Sequence, residues 1–216
     1  MDMKLIRFPE DTSPGGKCLD GTQAGFYFRE GSNPKLFMID FKGGGSCVDK
    51  KQCDQRARQS GGSSKGWEET KTGGNTLLAD CGINPDFCVA TTVLVPNCTG
   101  DQHLGTRTMA SPESFGYSFH GRTNVMLMID MLEAEYGLGE DGVMVLLTGG
   151  SAGAHAAYLT VDWLAERLPN AVVKAAPRVG TYWGTLFIDF DYFGGYVSYD
   201  LTNDLYNKRM VLLRNY

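Results

Sequence analysis

Residues 143–159 read VMVLLTGGSAGAHAAYL: an apolar run of strand type, a glycine-rich turn and an alanine-rich segment of helix type. Gly149, Gly150 and Gly153 flank Ser151 in that turn, and residues without a Cβ let the backbone double back from strand to helix without collision. The five residues fit G-x-S-x-G, the turn that lifts a nucleophilic serine to the top of a sheet. The helix that follows is expected to set free N–H groups and a positive dipole end beside Ser151. A glycine-rich turn that only packs closely is the plain alternative.

The flanking sequence continues the pattern. VATTVLVPNC, residues 89–98, is a continuous β-branched run suited to a central strand buried on both faces. Apolar residues recur at helical density from Arg122 to Tyr136, and Gly-Leu-Gly then stops the helix. In 153–168, Ala157, Val161, Leu164, Ala165 and Leu168 share one face of a helix ending before Pro169, and AVVKAA, residues 171–176, is another short strand. Alternation of this kind predicts an α/β fold with a mostly parallel sheet and helices on both faces. Earlier, GFYFRE (25–30) and PKLFMIDF (34–41) read as a hairpin joined by GSNP, residues 48–60 as a polar helix and residues 60–75 as surface loop. A chain of 216 residues suits a single domain spanning 1–216.

A net charge of −5 without any Lys/Arg run removes nucleic acid from the expected partners. No apolar run approaches the roughly 18 to 20 residues of a membrane span. Six cysteines, Cys18, Cys47, Cys53, Cys81, Cys88 and Cys98, crowd the first 98 residues. Their even number fits three disulfides and an oxidising compartment. Structural zinc is the competing use, although no pair forms C-x-x-C. The N-terminus shows no apolar core of a secretory signal, which sits uneasily with disulfides unless Met1 is not the true start.

DFKGGGSC sets Gly43, Gly44 and Gly45 directly after a predicted strand and upstream of the serine turn. In hydrolases that use such a turn, a loop here donates an N–H to the oxyanion hole, and glycine lets the backbone approach the substrate oxygen. The second donor is expected to be the N–H of Ala152, so that two amides face the developing charge. No G-K-[ST] follows the glycines, so the loop is not a phosphate-binding P-loop.

In order, CLDGTQAGFYFREG, LFMIDFKGGGSCVDKKQC, NPDF, VLVPNCTGDQHLG, FHGRTNV and VLLTGGSAGA resemble the pectin acetylesterase and Notum family of serine carboxylesterases. The resemblance runs from about Cys18 to about Val179. It implies an α/β-hydrolase fold, secretion, no metal or other cofactor, and removal of O-linked acyl groups, acetyl first among them, from a glycan or an acylated protein. It assigns Ser151 as nucleophile and Gly44, Gly45 and Ala152 as the oxyanion hole. It also matches Cys47 and Cys53 to the family's C-x5-C pair, and Cys18 and Cys98 to cysteines able to pair with each other.

The family completes its triad with an Asp and then a His in its C-terminal part, and this sequence stops before that part, so it is expected to be an N-terminal portion. Of the three histidines, His155 lies one helical turn past Ser151 and suits packing or a loop contact. His120 suits a polar contact at a helix start. Asp101 and His103, after the strand at 89–98, are the alternative pocket or base residues. Asp189 and Asp191 follow Ser151 as an acid partner should, but no histidine follows them. The competing function is therefore a non-catalytic or truncated hydrolase-like binding protein. Asn97-Cys98-Thr99 is in addition a sequon for N-glycosylation.

Overall fold

The computed structural model describes residues 2–11, 15–72 and 81–178. A seven-stranded sheet runs in the order β4-β1-β2-β5-β3-β6-β7, with β1 Asp2–Arg7, β2 Gly25–Arg29, β3 Asn33–Phe41, β4 Thr70–Thr72, β5 Ala90–Val95, β6 Met144–Gly150 and β7 Val172–Arg178. Three α-helices are described: α1 Lys50–Arg56, α2 Gly121–Tyr136 and α3 Ala152–Arg167. The expected alternation is the parallel part of the sheet, where β3 pairs with β5 and β6, and β6 with β7. On the other side β2 pairs antiparallel with β5 and with β1, and β1 with β4.

The expected hairpin does not form. β5 lies between β2 and β3 and bonds to both. Its burial on both faces explains the placement: Val93 and Val95 enter one core, Ala90 and Leu94 the other, and a strand apolar on both sides gains most at the centre of a sheet. The short β2–β3 link crosses the start of β5 at Gly31, whose N–H donates to Thr91 Oγ1 at 3.1 Å. A Cβ at Gly31 would lie 2.2 Å from the carbonyl carbon of Ala90. The expected surface loop at 60–75 contains β4, which pairs with the chain's first strand.

Phe37, Ile39 and Phe41 of β3 face the larger core, with Val125, Met128, Ile129 and Leu132 of α2 and Ala156, Ala157 and Leu164 of α3. Both long helices therefore cover one face among the described residues. Arg122 of α2 stacks its guanidinium 3.8 Å from the Trp163 ring of α3, and Arg167 bonds Asp130 and Glu133 across the same seam. The opposite face carries Met3, Tyr27, Met38 and Leu94, with Phe87 against them. Gly137, at φ 71°, closes α2 in the left-handed conformation that glycine adopts without strain. No helix among the described residues is long and apolar enough to cross a membrane.

The cysteines pair as Cys18–Cys98, Cys47–Cys53 and Cys81–Cys88. With all six sulfurs bridged, no thiolate remains to ligate zinc. Three disulfides fit an oxidising compartment.

Candidate active site

The site is built where β6 turns into α3. Ser151 sits at φ 54°, ψ −121°, a strained conformation for any residue with a Cβ. Strain of this kind persists only where the surroundings impose it, and here close backbone contacts do so. A Cβ at Gly153 would fall 1.9 Å from the carbonyl oxygen of Phe41, and one at Gly149 would fall 2.4 Å from the carbonyl oxygen of Gly153. At Gly150 the nearest atom would be 3.8 Å away, so the second position of the motif is not sterically constrained. Serine is a favoured helix N-cap, yet the Ser151 side chain makes no cap bond to α3 and the residue is exposed. Its hydroxyl is left to face outward at the start of the helix, where the first N–H groups have no intrahelical acceptor.

The glycine loop after β3 lies against this turn. A Cβ at Gly43 would come 2.4 Å from the Gly150 carbonyl oxygen and 3.2 Å from Ser151 Cβ. Gly44 and Gly45 follow at φ 132° and 70°. Among the described residues neither amide donates to a protein acceptor. Their carbonyls, by contrast, are engaged: Arg56 Nη2 donates to Gly44 O at 2.5 Å and to Gly45 O at 3.0 Å, and Asn97 Nδ2 donates to Gly45 O at 3.0 Å. Ala152, the residue after the serine, is buried at the first position of α3.

Asp101 and His103 lie beneath the glycine loop and do not reach the serine. Asp101 is fully buried; its Oδ1 accepts from Thr99 Oγ1 at 2.6 Å and from the His103 N–H at 3.1 Å, and its Oδ2 accepts from the Gly121 N–H at 2.8 Å. It thereby ties the loop after β5 to the start of α2, a helix end that favours a carboxylate. His103 packs edge-on to Phe41 with centroids 5.4 Å apart and donates from Nε2 to Lys42 O at 2.9 Å. Burial pushes its pKa down, against the Lys42 bond and the Asp101 charge, with Arg56 adding to the depression. A carbonyl oxygen can only accept, so Nε2 carries a proton.

His155 donates from Nδ1 to Gln102 Oε1 at 2.6 Å, while Gln102 Nε2 donates to Ser46 Oγ at 3.2 Å. Gln102 thus links the end of the glycine loop to α3, one turn beyond Ser151. His120 stands at the N-cap of α2 and bonds Ser118 Oγ at 3.0 Å. None of the three histidines hydrogen-bonds the Ser151 hydroxyl. Asp189 and Asp191 lie outside the described residues. Among those described, no cluster of His, Cys, Asp or Glu is placed to hold a metal ion.

No sequence pattern marks Arg56, Asn97 and Gln102 as site residues. All three act on backbone carbonyls or on neighbouring polar side chains, and bonds of that kind leave no spacing pattern in a sequence. In the sequence Asn97 reads instead as a glycosylation acceptor. In the fold it is 6% exposed, with its amide nitrogen bonded to Gly45 O.

A serine in a strained strand-to-helix turn, beside a glycine loop at the end of the parallel strands, places this chain in the class of α/β-hydrolase-like folds. Within that class the chain belongs to the pectinacetylesterase family, whose family model matches residues 1–198. It is similar to palmitoleoyl-protein carboxylesterase notum1a of Danio rerio, at 37% identity over 172 residues covering 77% of this chain and 32% of that protein. It is also similar to pectin acetylesterase 5 of Arabidopsis thaliana, at 30% identity over 171 residues covering 78% of this chain and 40% of that one. The solved structure of the Wnt deacylase Notum from Drosophila superposes with a TM-score of 0.69 at 28% identity, over 81% of this chain and 51% of that chain. The chain spans about a third of the length of the curated relatives it matches.

Proposed function

We propose that this protein is a serine carboxylic-ester hydrolase that removes O-linked acyl groups from a carbohydrate or a protein in an oxidising, extracellular setting. The conformation of Ser151 carries the reading: a residue that avoids φ 54°, ψ −121° unless forced is held there with its hydroxyl free of any cap bond. Ser151 Oγ would attack the ester carbonyl, forming a tetrahedral intermediate whose oxyanion is met by the amides of Gly44, Gly45 and Ala152. Collapse expels the alcohol and leaves an acyl-serine, which water then hydrolyses to the free acid. The proton acceptor for Ser151 is assigned to residues outside those described, because the histidines here are engaged with Lys42, Ser118 and Gln102.

The test treats the natural protein with a fluorophosphonate probe and maps the modified peptide. Labelling at Ser151, absent in Ser151→Ala, supports the reading, and absence of labelling sinks it in favour of a non-catalytic binding protein. Acetylated pectin and a palmitoleoylated peptide, the substrate chemistries named for the relatives, then separate a carbohydrate from a protein acyl carrier.

A further inference from the structure

We infer that Arg56, with Asn97 beside it, is a positioning residue for the oxyanion loop, holding the carbonyls of Gly44 and Gly45 to one side so that the Gly45 amide faces the other. The inference rests on the reading of Ser151 as nucleophile. In a trans peptide the C=O and the following N–H point in opposite directions. A bond from Arg56 Nη2 to Gly44 O therefore turns the Gly45 N–H away from Arg56. The bonds from Arg56 and Asn97 to Gly45 O fix the next peptide plane, that of the Ser46 N–H, and so hold Gly45 from its other side.

A restraint is needed because Gly44 and Gly45 occupy φ 132° and 70°. Glycine reaches those angles freely and leaves them as freely. An oxyanion hole works through donors already aimed before charge develops, so a glycine loop must borrow its rigidity from elsewhere. The structure supplies it through a built corridor. Arg56 is the last residue of α1, and Cys53 of that helix is bridged to Cys47, two residues past Gly45. The arginine stem passes between glycines: a Cβ at Gly100 would sit 3.4 Å from Arg56 Cδ, and one at Gly61 would sit 3.5 Å from Arg56 Cζ. Arg56 Nε is buried with no hydrogen-bond acceptor. Asp101, which orders the loop after β5, is the opposite charge that Arg56 feels.

The experiment compares the natural protein with Arg56→Met, Arg56→Lys and Asn97→Leu. Turnover of p-nitrophenyl acetate gives kcat and KM separately, and a boronic acid that mimics the tetrahedral intermediate reports on the oxyanion hole. Arg56→Met is expected to lower kcat by about 10- to 10²-fold, a fraction of the cost of losing an oxyanion donor. KM should stay within about twofold, and boronic acid affinity should fall in parallel with kcat. Arg56→Lys should restore part of kcat, since the charge remains without the planar fork. Independently of turnover, the carbonyl ¹³C shifts of Gly44 and Gly45 should move in Arg56→Met while that of Phe41 stays. Folded Arg56→Met with natural kcat and boronic acid affinity, or with unmoved Gly44 and Gly45 shifts, overturns this inference alone. A natural protein that neither turns over the ester nor binds the boronic acid overturns it together with the esterase reading.

Discussion

The side-chain amide of Asn97 donates to the carbonyl oxygen of Gly45 at 3.0 Å from a residue only 6% exposed. Glycan transfer needs that same nitrogen accessible, and the next residue, Cys98, is bridged to Cys18. Protein secreted from eukaryotic cells should therefore carry no glycan at Asn97. Intact mass before and after glycosidase treatment checks this, and a sensitive shift mapped to Asn97 would contradict it.

Two alanine substitutions in the serine turn should behave differently. Gly150→Ala places its Cβ 3.8 Å from the nearest atom and should change stability by no more than about 0.5 kcal/mol. Gly153→Ala drives a Cβ to 1.9 Å from Phe41 O and must push α3 off β3, so it should cost at least about 1 to 3 kcal/mol. Urea midpoints of the two variants decide the matter, and equal losses would mean that the turn is looser than described.

Gly44→Val places a β-branched residue at φ 132°, a conformation it does not adopt without strain. The loop should shift and withdraw a donor, lowering kcat by about 10²- to 10³-fold, or roughly 2.7 to 4 kcal/mol. Natural turnover by a folded Gly44→Val protein would remove Gly44 from the oxyanion hole.

Acid should weaken the fold through its histidines. An unfolded histidine titrates near 6.5, and burial holds His103 below that value in the fold. Between the two values the unfolded chain binds the extra proton. The contribution is therefore complete above about pH 6.5 and is lost as pH falls through the lower, folded value. Burial shifts His120 and His155 in the same direction. Denaturation midpoints should fall between about pH 7.5 and about pH 5. The drop should be smaller in His103→Gln, which keeps a donor for Lys42 O; an equal drop would show that His103 contributes nothing.

Removing the Cys47–Cys53 bridge by a double serine substitution should destabilise the protein by roughly 2 kcal/mol, the low end for disulfides because the closed loop is short. The loss in kcat should exceed what the lost stability explains, since the bridge joins the glycine loop to α1 and so to Arg56. Unchanged kcat in the folded variant would separate the bridge from the site.

The parts of this fold that the sequence announced are those set by local pattern. Strand β6, the serine turn and α3 combine an apolar run, closely approached glycines and a 3.6-residue apolar period, all within 143–168. What escaped was set by partners distant in sequence. β4, Thr-Lys-Thr, is wholly exposed and offers no apolar residue to read, and the alternation of β1 lasts only from Asp2 to Leu5, too short a run to stand out. The β2–β3 pair reads as a hairpin because its link is short, and only the insertion of β5 shows otherwise. His103 stands next to Asp101 in a loop after a central strand, which suits a catalytic pair. Its proton goes instead to Lys42 O, a bond no side-chain pattern encodes.

The insertion of β5 between β2 and β3 has a consequence for biosynthesis. The two earlier strands emerge from the ribosome about 50 residues before β5, counting from Phe41 to Ala90. At roughly 5 to 20 residues per second, that is an interval of several seconds. During it β2 and β3 are adjacent in sequence, complementary in character and without their native neighbour, so a non-native hairpin is the nearest pairing open to them. Cys18 is also synthesised early and waits for Cys98 across 80 residues, with Cys47 and Cys53 the nearer partners on offer. Correct maturation of this chain is thus a matter of delaying both pairings, which makes oxidoreductase and chaperone supply, rather than final stability, the factor expected to limit its yield in a heterologous host.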